Sequence, residues 1–181
     1  MAAEEYQQAL QGDHHFVPAL LAMGNLAFQQ NRLQEAEEWF AQVLDIDHLN
    51  PSAANNLAMV YLEQERNLKK AEDLAETALE RAGDLRPYVL DTLARIYLKQ
   101  TRLLAARNAL HRAEESIGQA RRPLRARLEQ LRKELDGHDS QPVWNRSKIV
   151  PFPAVRRFPS PRSFHLFECQ PGSTMADPED H

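Results

Sequence analysis

The sequence has one cysteine, six glycines and no long apolar run, and each shortage excludes a class of protein. Cys169 alone can form neither an internal disulfide nor the thiolate cluster of a structural zinc site. No run approaches the roughly eighteen apolar residues of a membrane-spanning helix. The N-terminal stretch MAAEEYQQAL has acidic residues where a secretory signal has basic ones. We therefore expect a protein that stays in water, without a membrane span, in the cytoplasm.

Basic charge is also scarce over most of the chain. Residues 1–120 hold 11 Lys/Arg against 18 Asp/Glu, whereas residues 121–136 hold 6 against 3. A nucleic-acid-binding surface needs clustered cations, so this acidic body makes a nucleic-acid partner unlikely. The sequence contains no HExxH, no CxxC and no phosphate-binding glycine loop, and His14-His15 has no spaced third ligand. We predict no catalytic site, no metal site, no cofactor and no enzymatic activity.

Four prolines reveal an internal repeat. Pro18, Pro51, Pro87 and Pro123 are separated by 33, 36 and 36 residues, and each precedes a helical pattern. Proline suits the first position of a helix because its missing N–H has no intrahelical partner there. A fixed period of this length is typical of stacked supersecondary units.

Small residues follow the same period. Ala2, Ala36, Ala71 and Ala106 lie 34, 35 and 35 residues apart. Further residues of the same face follow four positions and seven positions later: Tyr6, Phe40, Ala75 and Leu110, then Ala9, Val43, Ala78 and Ala113. In the intervening helices, Gly24, Ala58 and Ala94 recur beside large side chains. Such small residues allow two helices to approach closely.

The pattern predicts helices separated by short polar turns such as QNR, QERN and QTR. Their expected ranges are about 2–11, 17–29, 33–46, 51–64, 68–82, 87–99, 103–116 and 122–136. The predicted fold is all-α, a superhelical solenoid of helical hairpins, because single hairpins cannot bury their apolar faces alone. An ordinary helical bundle with accidental alanine spacing is the alternative.

The chain resembles tetratricopeptide repeat proteins, and its arrangement is similar to the bacterial arrays of that family. The resemblance is carried by LAMVY at 57–61 and LARIY at 93–97, with GNLAF at 24–28 and AEEWF at 36–40 in the preceding unit. It covers residues 2–116 and implies a concave surface that binds a partner protein. Ala27 departs from the family pattern, which has an aromatic residue there. Pentatricopeptide arrays have a similar period and bind RNA, but the alanine positions and the acidic body fit the tetratricopeptide pattern better.

The expected organisation is a repeat array over residues 1–120, followed by two further segments. Its parts are a half-repeat at 1–15, repeats at about 16–49, 50–85 and 86–120, a capping helix at 121–136, and a proline-rich tail at 137–181 that we expect to be disordered. Leucines spaced by four, three and four residues give the capping helix one apolar stripe. The leading half-repeat predicts an uncovered face around Tyr6 and Ala9, which indicates either a truncated chain or protection of this face in some other way. The same face is the candidate site of self-association.

Two adjacent asparagines, Asn55 and Asn56, lie well inside the predicted helix of residues 51–64. Each costs roughly 0.6 kcal/mol in helix propensity relative to alanine. In a hairpin solenoid the first helices line the concave side, so we expect their inward residues to form a groove. An asparagine amide both donates and accepts, and could hold an extended peptide by its backbone. The predicted partner-binding residues are Asn25, Gln29, Asn55, Asn56, Met59, Asp91, Thr92, Arg95 and Lys99.

Alternatives for this groove and for its function stay open. Tetratricopeptide domains that grip the C-terminal carboxylate of chaperones use two asparagines, which Asn25 and Asn56 match, and three basic residues. Leu21, Tyr88 and Thr92 stand in the basic positions, which disfavours that ligand. The asparagines could instead only solvate a surface or bond to neighbouring helices. The leading interpretation is a non-catalytic protein-interaction scaffold. The alternatives are a self-associating structural piece and a regulatory fragment of a larger secretion, polysaccharide-assembly or enzyme-associated protein.

Overall fold

The computed structural model describes residues 2–117 and 122–139, which are helical with short turns and contain no strand. The helices are α1 (Ala2–Gly12), α2 (Val17–Gln29), α3 (Leu33–Ile46), α4 (Pro51–Glu63), α5 (Leu68–Glu80), α6 (Arg86–Lys99), α7 (Leu103–Ser116) and α8 (Arg122–Asp139). A single 3₁₀ turn, Gly83–Leu85, precedes α6. The predicted all-α class is confirmed, and the predicted helix boundaries differ from the observed ones by at most three residues.

The helices form a stack of hairpins. Within the described part of the chain, α2 pairs with α3, α4 with α5, and α6 with α7, and each hairpin packs on the next. The first helices of successive hairpins also contact one another, α2 with α4 and α4 with α6. The predicted helical-hairpin solenoid is therefore confirmed. Its first helices lie side by side, which is the arrangement that the predicted groove requires.

The three hairpin turns share one backbone geometry. A residue with positive φ ends each first helix: Asn31 at 58°, Glu65 at 49° and Thr101 at 60°. The N–H of the following arginine then bonds to a carbonyl five residues earlier, which satisfies groups that a helix end would otherwise leave unpaired. These bonds join Arg32 to Ala27 (2.9 Å), Arg66 to Tyr61 (3.2 Å) and Arg102 to Tyr97 (2.8 Å).

Small residues set the distance between the paired helices, as the sequence predicts. A Cβ placed on Gly24 would lie 2.5 Å from the Phe40 ring, so α2 and α3 meet more closely than any alanine allows. Ala36, Ala71 and Ala106 have no exposed surface at all. The phased small residues are thus the contact points of the stack.

Ion pairs join successive hairpins at the turns, and one of them has a buried carboxylate. Glu72 on α5 is only 4% exposed, and it accepts hydrogen bonds from Arg102 (2.7 Å) and Gln100 (3.1 Å). Burial alone would raise the pKa of Glu72, but these two donors together hold it below its ordinary value. Glu37 and Arg66 form the corresponding pair one hairpin earlier. A recurring carboxylate and guanidinium therefore fix each hairpin against the next.

Helix α8 closes the C-terminal end of the stack. Its stripe of Leu124, Leu128, Leu131 and Leu135 is at most 4% exposed and packs against α7 and α6. Because α8 contacts α6 as α6 contacts α4, it takes the place of the first helix of a further hairpin. The helix continues to Asp139, three residues beyond its predicted end. Residues 140–181 lie outside the described residues, as do the tail's aromatic residues.

Candidate functional site

A cavity of about 390 Å³ opens on the side formed by the first helices. The lining residues come from α2, α4, α6, α8 and the 3₁₀ turn: Leu21, Asn25, Ser52, Asn55, Asn56, Met59, Leu85, Tyr88, Thr92 and Arg127. Five of the predicted partner-binding residues are among them, namely Asn25, Asn55, Asn56, Met59 and Thr92. The structure thus brings residues from three separate repeats to one place.

A smaller cavity of about 120 Å³ adjoins the first and accounts for Gln29. It is lined by Asn25, Phe28, Gln29, Phe40, Asn56 and Met59, and three of these residues, Asn25, Asn56 and Met59, also line the larger cavity. The residues lining these two cavities are called the groove below. The groove crosses three neighbouring first helices. With interhelical distances of roughly 8–10 Å, this span of roughly 20 Å matches about six residues of extended chain.

Asn25 and Asn56 are hydrogen-bonded to each other. The Asn56 Nδ2 donates to the Asn25 Oδ1 over 2.9 Å, which joins α2 to α4. This bond was one of the alternatives open at the sequence level, and it uses only part of the capacity of each amide. The Asn25 amide nitrogen keeps two N–H donors, and the Asn56 oxygen keeps its acceptor positions. The pair can therefore still donate to a peptide carbonyl and accept from a peptide N–H, with both amides already held in position.

Asn55 and Thr92 line the floor of the groove rather than its wall. Asn55 is 8% exposed and Thr92 is 1% exposed, and the Thr92 hydroxyl donates to the backbone carbonyl of Tyr88 (3.1 Å). The Asn55 Nδ2 has a weak contact with the Met59 Sδ (3.8 Å), while its Oδ1 is buried without a partner. Both residues were expected to face a ligand directly. Because both side chains are buried against the neighbouring helices, they shape the floor of the groove and offer little surface to a ligand.

Asp91, expected on the inner face as a charged contact, is instead buried. It is 1% exposed, and its Oδ2 accepts a hydrogen bond from the Nη2 of Arg127 on α8 (2.6 Å). Burial raises the pKa of Asp91, although the positive charges of Arg127 and Arg95 oppose that effect. Asp91 is buried because α8 covers this part of α6. An acid that would face solvent on α6 alone becomes the internal partner of an arginine.

Arg95 and Lys99 lie in a different cavity. That cavity, of about 220 Å³, lies between α4, α6 and α8, and it shares no lining residue with the groove. Arg95 bonds to Glu63 over 2.8 Å, and Lys99 forms an ion pair with Glu65. The expectation that these two cations meet a ligand beside the asparagines is therefore not met. Their carboxylate partners on α4 and on the turn that follows it draw them away from the groove.

The groove contains residues that the sequence prediction does not include, among them Leu85 and Arg127. Leu85 belongs to the 3₁₀ turn, whose position follows from no repeat pattern. Arg127 does have a signal in the sequence, because it lies one residue before Leu128 and four before Leu131, at the edge of the apolar stripe of α8. A residue at such an edge borders the surface that the helix covers. The capping helix is thus also one side of the groove.

The groove is nearly free of charge. Among the described residues that line its two cavities, only Arg127 is ionic, and that charge is matched by Asp91. The other lining groups are amides, hydroxyls and apolar side chains. This composition suits hydrogen bonding and apolar contact with a ligand.

Residues 2–117 and 122–139 contain neither a metal-binding cluster nor a helix that could span a membrane. No group of three or more His, Cys, Asp or Glu side chains in this part is arranged to hold a metal ion. Likewise, no helix of the same part combines the length and hydropathy that a membrane-spanning segment needs.

Residues 2–60 match the family model described as tetratricopeptide repeat. No curated protein sequence matches the chain. Among solved structures, the chain is similar to the Sgt2 TPR domain from Aspergillus fumigatus, with 21% identity, a TM-score of 0.58 and coverage of 77% of this chain and 87% of that one.

Two further structures are similar at the level of the fold. The first TPR of Spaghetti (RPAP3), bound to the HSP90 peptide SRMEEVD, has 19% identity and a TM-score of 0.56, with coverage of 66% of this chain and 95% of that one. YrrB, described as a TPR protein with an unusual peptide-binding site, has 23% identity and a TM-score of 0.59, with coverage of 76% and 69%. At these identities the likeness shows a shared fold.

Proposed function

Because this chain is a tetratricopeptide repeat protein, we propose that it is a non-catalytic interaction scaffold that binds an extended segment of a partner protein in the groove. The observation that carries the proposal is the Asn25 and Asn56 pair, which lines both cavities of the groove and keeps unused donors and acceptors. Two solved relatives by fold are described as peptide-bound or peptide-binding, which supports the same use here.

The proposed mechanism combines backbone hydrogen bonding with burial of side chains. The Asn25 amide nitrogen donates to one peptide carbonyl, and the Asn56 oxygen accepts from one peptide N–H. Because the two amides are already bonded to each other, they lose little conformational freedom when a peptide binds. Met59 and Phe28 line the adjoining cavity, where an apolar side chain of the segment can be removed from water.

The test is selection of binders from a displayed library of random seven-residue segments, followed by affinity measurement with variants. Each lost hydrogen bond costs about 0.5–1.5 kcal/mol, so Asn25→Ala with Asn56→Ala should weaken the selected peptides roughly tenfold to a hundredfold. Arg95→Gln is the matched control, since Arg95 lies in the separate cavity and its loss should leave affinity unchanged. The proposal fails if no segment is selected, or if the double variant, still folded by circular dichroism, binds as tightly as the original protein.

A second function is favoured by the N-terminal helix. Helix α1 packs against α2, and Tyr6 remains 37% exposed on α1. We propose that this face supports self-association. Sedimentation over a hundredfold range of protein concentration should then show a dimer that Tyr6→Lys abolishes. A monomer at every concentration would rule it out.

A further inference from the structure

Within the part of the chain that the structure describes, one ionic group lines the groove, and it is already paired with a carboxylate of the same chain. Arg127 lines the larger cavity, and its Nη2 lies 2.6 Å from the Asp91 Oδ2. Asp91 is 1% exposed, whereas the Arg127 side chain is 45% exposed. The acid is thus fixed inside the protein, and the base reaches from α8 to the edge of the space that a ligand would fill.

A ligand carboxylate would compete with Asp91 for this arginine. Asp91 cannot turn out to water, because α6 and α8 enclose it, so the incoming acid would lie beside a second negative charge. Two negative charges close together in a poorly solvated site repel each other strongly. Loss of hydration by the ligand carboxylate would also go uncompensated, since the neighbouring wall residues Leu21 and Tyr88 carry no positive charge.

Arg95, a second cation that acts on Asp91, does not change this balance. Arg95 acts on Asp91 electrostatically, but it donates its hydrogen bond to Glu63 and lines the separate cavity. An uncharged segment meets none of these costs. It can use the amides of Asn25 and Asn56, and the charge of Arg127 is already neutralised.

Building on the proposed function, we infer that Asp91 determines the specificity of the groove: by holding Arg127 it makes the groove select uncharged segments and reject those with Asp, Glu or a C-terminal carboxylate at the contact positions. Asp91 acts through Arg127 and is a positioning residue. Removal of its charge should free Arg127 for an acidic ligand.

The experiment uses the same displayed library in two formats, with the random segment internal or at a free C-terminus. Selection is carried out with the full chain, with Asp91→Asn, and with the double variant Asp91→Asn, Arg127→Gln. Asparagine has nearly the shape of aspartate, so Asp91→Asn should fold, and a thermal melt followed by circular dichroism checks each variant. The heptapeptide SRMEEVD and its acid-free analogue SRMQQVN with an amidated end serve as defined probes.

We expect the unaltered groove to select segments depleted of Asp and Glu and to show no preference for a free C-terminus. Asp91→Asn should enrich acidic segments and bind SRMEEVD about tenfold or more tightly than the unaltered protein does, since hydrogen bonds to charged groups are the strong ones. The double variant should lose that gain. The acid-free analogue should bind the unaltered protein and Asp91→Asn with affinities within about threefold.

Two results would overturn the inference while leaving the proposed function intact. The first is selection by the unaltered protein of acidic segments that depend on Asn25 and Asn56. The second is an Asp91→Asn variant that folds and still shows no gain for acidic segments. Absence of any selected segment that depends on the asparagines would instead reject the proposed function, and the inference with it.

Discussion

Gly24 offers a decisive test of the stacking that underlies this fold, because two physical effects of replacing it have opposite signs. Gly24 lies inside α2, where alanine is favoured over glycine by about 1 kcal/mol in helix propensity. A Cβ at this position would lie 2.5, 2.8 and 2.9 Å from three atoms of the Phe40 ring. Phe40 is 1% exposed, and its ring borders free space only where it lines the smaller cavity of the groove.

Overpacking of a core that cannot adjust costs typically about 1–3 kcal/mol. Contact with three ring atoms below 3 Å places Gly24→Ala toward the upper end of that range. After subtraction of the propensity gain, we expect the free energy of unfolding to fall by about 1–2 kcal/mol. For a chain of this size the midpoint of thermal unfolding should fall by roughly 3–8 °C.

The assay is urea unfolding followed by circular dichroism, with a double-mutant cycle. Phe40→Leu removes the ring that the new methyl group meets, so Gly24→Ala should cost much less, or stabilise, in that background. Gly12→Ala is the matched control, because a Cβ on Gly12 would contact nothing within 4 Å. If Gly24→Ala raised the unfolding midpoint as propensity alone predicts, the claim that small residues set the distance between paired helices would be refuted.

Two further predictions concern the turns. Glu72→Gln should lower the free energy of unfolding by about 1–2 kcal/mol at pH 7, because Arg102 loses a charge-assisted hydrogen bond. The pKa of Glu72 is lowered on folding, so this stability is present above its unfolded value of 4.5 and disappears as pH falls through the folded value. Urea melts at pH 7 and pH 3 should show the difference narrowing, and an unchanged difference would contradict the reasoning. Thr101→Gly should stabilise by about 0.5–1 kcal/mol in the same assay, since Thr101 has φ of 60°. A loss of stability would show that the turn does not strain this threonine.

Much of the fold could be predicted from the sequence, because its determinants are local and repeated. Each proline and each polar turn marks a helix boundary within a few residues, and the phased alanines indicate which faces meet. The groove amides Asn25 and Asn56 follow from the same period, since their positions on successive first helices are set by helix geometry alone.

The differences between the predicted and the observed site have more than one physical origin. Asp91 is covered by α8, whereas Arg95 and Lys99 pair with carboxylates of α4 and of the turn that follows it. No local pattern indicates that an acid at position 91 will be covered by a helix that begins 31 residues later. The burial of Asn55 has a local cause instead. Asn55 is one residue from Asn56, and this step of about 100° around the helix turns it from the groove surface to the buried floor.

The capping helix therefore has two roles that depend on each other. Its leucine stripe covers the apolar surface that the last hairpin would otherwise expose, and the same docking places Arg127 at the edge of the groove. Without α8, Asp91 would lose its arginine partner and face solvent, and the groove would gain an exposed acid. The net charge of the groove thus depends on the packing of α8 against the last hairpin. Any substitution that loosens the packing of α8 should therefore alter both ligand selection and stability. A groove formed by the repeat helices alone would not show this coupling.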